Sequence, residues 1–323
     1  MTADLSIRKS GFVEMAFTGD RKAIWHGLGN ELTADASIET WQQQSGMDWR
    51  ISRSRVRYGE GANQMTMDDQ HVLFRSDTKS PLGIVSDKYK TVQPGEVLEF
   101  FRDLLPAGYT LSTAGCLHGG KKFWALASIG ESAVVVGRDK LQAFLLLTSS
   151  ADGSTRTTAR EVTERVVCSN TLAIAMSGRS PNEVAISHRS TFDAGKVKEK
   201  LGLARGHFHT FMLDARKLAS TPVTKDAAHD FLGSLLVEGG MVFKEDVTKT
   251  KPYMKIMDLF NGEGLGSTLD GVDGTMWGLL NGVTEYVDHH ARAKTAENRM
   301  DSAWFGRGDN LKSLAFQKAL ALV

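Results

Sequence analysis

A chain of 323 residues, 41% hydrophobic and 24% charged, is long enough to bury a substantial core, and its composition excludes global disorder. A net charge of +1 excludes a protein-wide positive field, so attraction to nucleic acid would need a local basic surface. Apolar runs such as residues 143–147 fall far short of the roughly 18 residues that span a bilayer, so no membrane partner is expected.

Residues 1–10 carry Asp4, Arg8 and Lys9 with no apolar signal region, which predicts a cytoplasmic protein. The two cysteines, Cys116 and Cys168, allow at most one disulfide and no zinc framework, and reduced thiols are expected. The 32 Gly against 6 Pro point to many tight turns rather than to Pro-rich linkers.

The first half reads as strands. Residues 47–58 (MDWRISRSRVRY) alternate Trp49, Ile51 and then Val56 against Arg50, Arg53, Arg55 and Arg57. Residues 71–75, 82–86, 122–129 and 141–149 are further β-rich stretches. Turn chemistry separates them at Glu60-Gly61, Ser80-Pro81, His118-Gly119-Gly120 and Ala151-Asp152-Gly153. Short strands in succession favour an antiparallel sheet. One helix interrupts at residues 94–105, with Val97, Leu98, Phe101, Leu104 and Leu105 on one stripe.

Thr158 with Glu161 fits a capping box, so a helix is predicted to begin there. Alternatively residues 165–168 continue a strand and the helix starts at Ser169 or Asn170, with Asn170 as its cap. In both versions Leu172, Ala175 and Met176 are buried. Farther on, Val197, Leu201, Ala204, Phe208, Phe211, Ala215 and Leu218 recur at alternating steps of four and three, which suits one helix. Gly202 and Gly206 within it cost about 1 kcal/mol each relative to Ala and leave room for a break. Further helices are predicted at residues 226–237, 253–260, 277–294 and 311–322. Val223-Thr224 reads as a staple residue and N-cap before the first of these. The expected fold is α+β: an antiparallel, sheet-rich N-terminal domain over residues 1–190, then a mainly helical part, 191–323, packed on or beside it.

Arg53, Arg55 and Arg57 at i, i+2 and i+4 would project from one face of a strand at about 6.5–7 Å intervals, close to the phosphate repeat of an extended nucleic-acid strand. A solvated outer face predicts the same alternation. Lys88-Tyr89-Lys90 pairs two cations with an aromatic, the composition of a site that stacks a base and neutralises phosphates. A core tyrosine flanked by rim lysines explains it equally. Arg156, Arg160 and Arg165 add a basic stretch.

Catalytic arrangements are weaker. Cys168 beside Asn170 follows Val166-Val167, the setting of an inert core thiol. Glu285, Asp288 and His289 share a helical face, and His207 with His209 forms a second pair, but neither has the spacing of a known metal motif. Residues 262–274 (GEGLGSTLDGVDG) lack the Gly-Lys-Ser/Thr ending of a phosphate-binding loop, and Asp270 and Asp273 complete no calcium loop; a mobile loop is expected. No catalytic residue, cofactor or metal is assigned.

Five blocks carry a resemblance: Trp25-His26-Gly27-Leu28-Gly29, the segment from Arg75-Ser76-Asp77 to Gln93, Arg165 through Leu172, Gly274-Thr275-Met276-Trp277-Gly278-Leu279, and residues 283–289. In this order they resemble a phage- and plasmid-like protein family of unknown function, the domain of unknown function 932 type. The resemblance implies a mobile-element setting and supplies no functional residue. The expected role is binding of single-stranded nucleic acid by Arg53, Arg55, Arg57, Lys88, Tyr89, Lys90, Arg156, Arg160 and Arg165, as an oligomer that promotes strand annealing. The rival expectation is a non-enzymatic protein that blocks or redirects a host defence or nuclease factor.

Overall fold

A computed structural model of the protein describes residues 7–8, 11–19, 29–167, 170–173, 183–202, 207–242 and 246–323. Its strands are β1 (Met15–Thr18), β2 (Asn30–Leu32), β3 (Ile51–Tyr58), β4 (Met65–Arg75), β5 (Pro81–Ser86), β6 (Thr110–Leu117), β7 (Lys122–Val136), β8 (Asp139–Ser150), β9 (Thr157–Arg165), β10 (Asn170–Ala173) and β11 (Glu183–Ile186). Its α-helices are α1 (Ile38–Gln44), α2 (Pro94–Arg102), α3 (Ala194–Gly202), α4 (His207–Ala219), α5 (Lys225–Glu238), α6 (Lys251–Asp258), α7 (Met276–Glu285), α8 (Ala296–Phe305) and α9 (Arg307–Ala321). The fold is α+β, with sheet-rich antiparallel structure toward the N-terminus and most helices in the second half. No described helix is long and apolar enough to cross a membrane.

The chain forms two compact units, each discontinuous in sequence. The first comprises residues 1–129, 145–160 and 183–203; the second comprises 130–144, 161–182 and 204–323.

In the first unit, residues 157–160 of β9, 145–150 of β8, 122–129 of β7, β6, β1 and β2 pair in that order, and β11 lies on β9. All these pairings are antiparallel where the register is defined, except that β1 and β2 run parallel. A separate three-stranded sheet, β3-β4-β5, is antiparallel throughout. Trp41, Trp49, Phe100, Phe101, Phe123 and Leu147 lie in the core between them. Helix α2 begins where Pro94 fixes the first turn and the Glu96 carboxylate accepts the Gln93 backbone N–H at 2.7 Å. The Gln93 side chain meanwhile bonds both backbone groups of Ile51, at 2.8 and 3.3 Å, and so ties helix to strand. Its buried stripe is Val97, Leu98, Phe100 and Phe101, with Leu104 and Leu105 half-buried just beyond.

The second unit combines the rest of β7, β8 and β9 with β10 and helices α4 to α9, of which α7 and α9 pack against β10. The central helix is α7, buried at every residue. Thr275 caps it by accepting the Gly278 N–H at 3.2 Å. At Gly278 a Cβ would stand 2.0 Å from the Val272 carbonyl oxygen, so only glycine fits this approach. Thr224 caps α5 through the Ala227 N–H at 3.2 Å, as expected.

Four expectations change. No helix starts at Thr158: residues 157–165 form β9, whose β-branched Thr157, Thr158, Val162 and Thr163 suit a sheet, and the hydroxyls of Thr157 and Thr158 each meet one from β8 at 2.8 Å. Nor is Asn170 a helix cap, since it opens β10 opposite Arg165; Cys168, Ala175 and Met176 lie outside the described residues. The long apolar stripe divides between α3, in the first unit, and α4, in the second, on either side of residues 203–206, which also lie outside. Likewise α7 stops at Glu285 and passes into a wider turn, closed by Ala291 N–H donating to Tyr286 O at 2.7 Å, instead of running to residue 294.

Candidate functional site

Most of the expected basic residues belong to the first unit, where a cleft of about 470 Å³ is lined by one of them, Arg156, together with Tyr89. One wall is the turn after β5. The Tyr89 N–H donates to Ser86 O at 3.0 Å, and this places the phenol so that its hydroxyl donates to Ser150 O at 2.8 Å. Burial pushes the Tyr89 hydroxyl up to about 12. A second wall is the β8–β9 turn. Its Gly153 is left-handed (φ +75°), and the Asp152 carboxylate accepts the Ser154 N–H at 2.9 Å. Gly83 of β5 abuts this turn so closely that a Cβ there would stand 2.9 Å from the Asp152 Cα.

The third wall follows β11. His188 stacks on Tyr89, with ring centres 4.5 Å apart and planes 17° from parallel. Its Nε2 lies 2.9 Å from Thr155 O and its Nδ1 lies 3.3 Å from Lys90 O, while His188 O accepts the Lys90 N–H. One imidazole thus joins three chain segments that are remote in sequence. Arg156 and Arg189 also line the cleft; both are exposed, and among the described residues neither enters an ion pair. Lys88 and Lys90, either side of Tyr89, are exposed too. The arrangement offers cationic forks, hydroxyls and a stacked aromatic pair, which together suit an anion attached to a flat ring.

The remaining expected residues are placed differently. Arg53 sits across from Leu73, and its guanidinium lies 2.8 Å from Asp87 and 3.0 Å from His71. Arg55 is 3.7 Å from Asp68. A register irregularity between Arg55 and Arg57 interrupts the regular arginine ladder, although Arg57 is exposed. Arg160 and Arg165 are buried, at 7% and 2% exposure, so neither presents a surface cation. Within the second unit Arg165 donates to the buried Asp139 at 2.7 Å and to the carbonyls of Leu265 and Gly266 at 2.9 and 3.0 Å.

Those last bonds revise the reading of the glycine-rich loop. Besides Arg165, the Glu285 carboxylate holds the Leu265 N–H at 3.0 Å, and Val272 is fully buried. The loop is anchored by buried charge. The Glu285, Asp288 and His289 set is likewise committed within the second unit: Asp288 pairs with the buried Lys312 at 2.7 Å, and the His290 Nε2 lies 3.6 Å from Glu285. His207 lies 3.8 Å from Glu161, and His209 is exposed. Among the described residues no group of three or more metal-ligating side chains gathers. Of the Trp25–Gly29 motif only Gly29 lies within the described residues.

Sequence reading missed His188 and Arg189. The available signal was the Ser-His-Arg-Ser run directly after the alternating Glu183–Ile186 strand.

No curated protein and no solved structure matches this chain. A family model does match, over residues 81–304, which takes in the cleft, the anchored glycine loop and α7; the chain therefore belongs to the family described as a domain of unknown function (DUF932).

Proposed function

We propose that the protein binds single-stranded nucleic acid on the first unit, along the surface carrying Lys88, Tyr89, Lys90 and Arg156. The observation that carries this reading is the cleft, where Tyr89 and Arg156, far apart in sequence, meet beside a second exposed arginine, Arg189. Cations spaced around an aromatic pair neutralise phosphates while a base stacks, and this needs neither a cofactor nor a catalytic group. The setting that goes with this role is the cytoplasm of a cell carrying a phage or plasmid, with the protein acting in strand annealing as a homo-oligomer.

Fluorescence anisotropy of a labelled oligothymidylate across a salt series tests it. Three or four phosphate contacts predict a slope of log affinity against log salt of about −2 to −3. No binding at low salt, or a flat slope, overturns the reading.

One observation favours a second reading, a protein that docks on a host defence or nuclease factor. The β3–β4 hairpin exposes Tyr58, Met65 and Met67, with Tyr58 directly opposite Met65. Pull-down from a host lysate with and without nuclease separates the two, because a protein partner survives nuclease treatment.

A further inference from the structure

The cleft has a shape more specific than a basic surface. Strand β11 pairs antiparallel with β9, and Ile186 stands opposite Thr157. The residue just before β9 is Arg156, and the residues just after β11 are Ser187, His188 and Arg189. Directly paired residues in such a ladder are about 5 Å apart, so the register itself brings Arg156 and Arg189 to one open end of the strand pair. Both guanidinium groups keep their donors for a ligand, since neither is in an ion pair among the described residues. The single carboxylate of the lining, Asp152, has one oxygen engaged by the Ser154 N–H.

We propose that this cleft is a mononucleotide pocket: Arg156 and Arg189 together clasp one phosphate, and the base extends the Tyr89–His188 stack from the imidazole side. The proposal rests on the nucleic-acid reading above and deepens it, naming the nucleotide unit as what the protein recognises. Two planar forks satisfy several oxygens of one phosphate, which a single lysine cannot do. A cleft of about 470 Å³ falls within the roughly 300–1,000 Å³ typical of small-molecule sites. The free oxygen of Asp152 accepts a sugar hydroxyl or a base N–H. His188 acts as a positioning residue, because its contacts with Thr155 O and Lys90 O fix where the stacking surface stands.

Titration calorimetry on the full chain, with thymidine 5′-monophosphate, thymidine and inorganic phosphate as separate ligands, tests the assignment. The monophosphate should bind, and both thymidine and inorganic phosphate should bind about tenfold more weakly or worse. Arg156→Gln and Arg189→Gln, both at exposed positions, should each weaken the monophosphate about tenfold, the scale of one lost charge-assisted contact. No monophosphate binding, affinity indifferent to both arginines, or equal binding of thymidine overturns the proposal. Anisotropy with the oligonucleotide keeps the two readings apart. An oligonucleotide that binds while the monophosphate does not defeats the pocket alone. A monophosphate that binds as described, with no oligonucleotide binding, upholds the pocket and defeats the single-strand reading.

Discussion

Arg75 shows how much one side chain organises in the first unit. Its guanidinium donates to Glu14 at 2.7 and 2.9 Å and to Asp77 at 2.8 and 3.0 Å, and it lies 4.3 Å over the Trp49 ring. Arg8 donates to the same Glu14 at 2.8 Å. Hydrogen bonding to Arg75 holds the Asp77 carboxyl down at about 2, below an unfolded value of about 3.9. A depressed carboxylate stabilises the fold above its unfolded value and loses that contribution as pH falls through the folded one. The chain should therefore lose stability between about pH 4 and pH 2, and Asp77→Asn should flatten that part of the curve. Urea midpoints measured at half-unit pH steps check this; an Asn variant with an unchanged slope would contradict it. Cys116, beside this cluster, is buried and its thiol is pushed well up by desolvation, so it is a core residue rather than a nucleophile.

Among the elements, α5 and α7 make opposite demands on sequence. Removing the cap hydroxyl with Thr224→Ala should cost about 1 kcal/mol, as for an ordinary N-cap. Adding a single methyl group with Gly278→Ala should cost about 3 kcal/mol or prevent folding, because the new carbon would meet a backbone carbonyl that cannot step aside. Thermal unfolding of the two variants checks the ranking. Both elements were legible because caps and apolar stripes are local. Helices α1 and α8 were not anticipated, although Ser37 and Thr295 cap them by accepting the N–H groups of Thr40 and Asn298. Their apolar positions are few, so periodicity was silent and only the cap residues could have marked them. β9 was misread because Thr-x-x-Glu serves a helix start and a strand equally, and its pairing with β8 and β11 is non-local. The candidate site was half legible for the same reason. Lys88, Tyr89 and Arg156 stand out by residue type, whereas Arg189 reaches the cleft that Arg156 lines through the pairing of β11 with β9.

For the whole molecule, a net charge of +1 conceals local imbalance: Arg160 and Arg165 are buried, Arg53 and Arg55 face carboxylates, and Arg156 and Arg189 stand exposed at one cleft. The part matched by the family model, residues 81–304, is not a self-sufficient piece. Cutting there would remove β1, β3, β4 and α1 from the first unit, with Trp41, Trp49 and Leu73 of its core, and would strip α9 with Leu311 and Phe316 from the second. A fragment of residues 81–304 should show no cooperative thermal transition, in contrast to the full chain; a sharp transition in the fragment would refute this.

The discontinuity of the units also sets an order of events during synthesis. Residues 183–203, which supply β11, His188 and Arg189, are the last part of the first unit to leave the ribosome, and by then residues 130–144 and 161–182 of the second have already emerged. Neither unit can finish before the other has begun, and β9 lacks its β11 partner until translation passes residue 186. The cleft is therefore among the last features of the first unit to be completed.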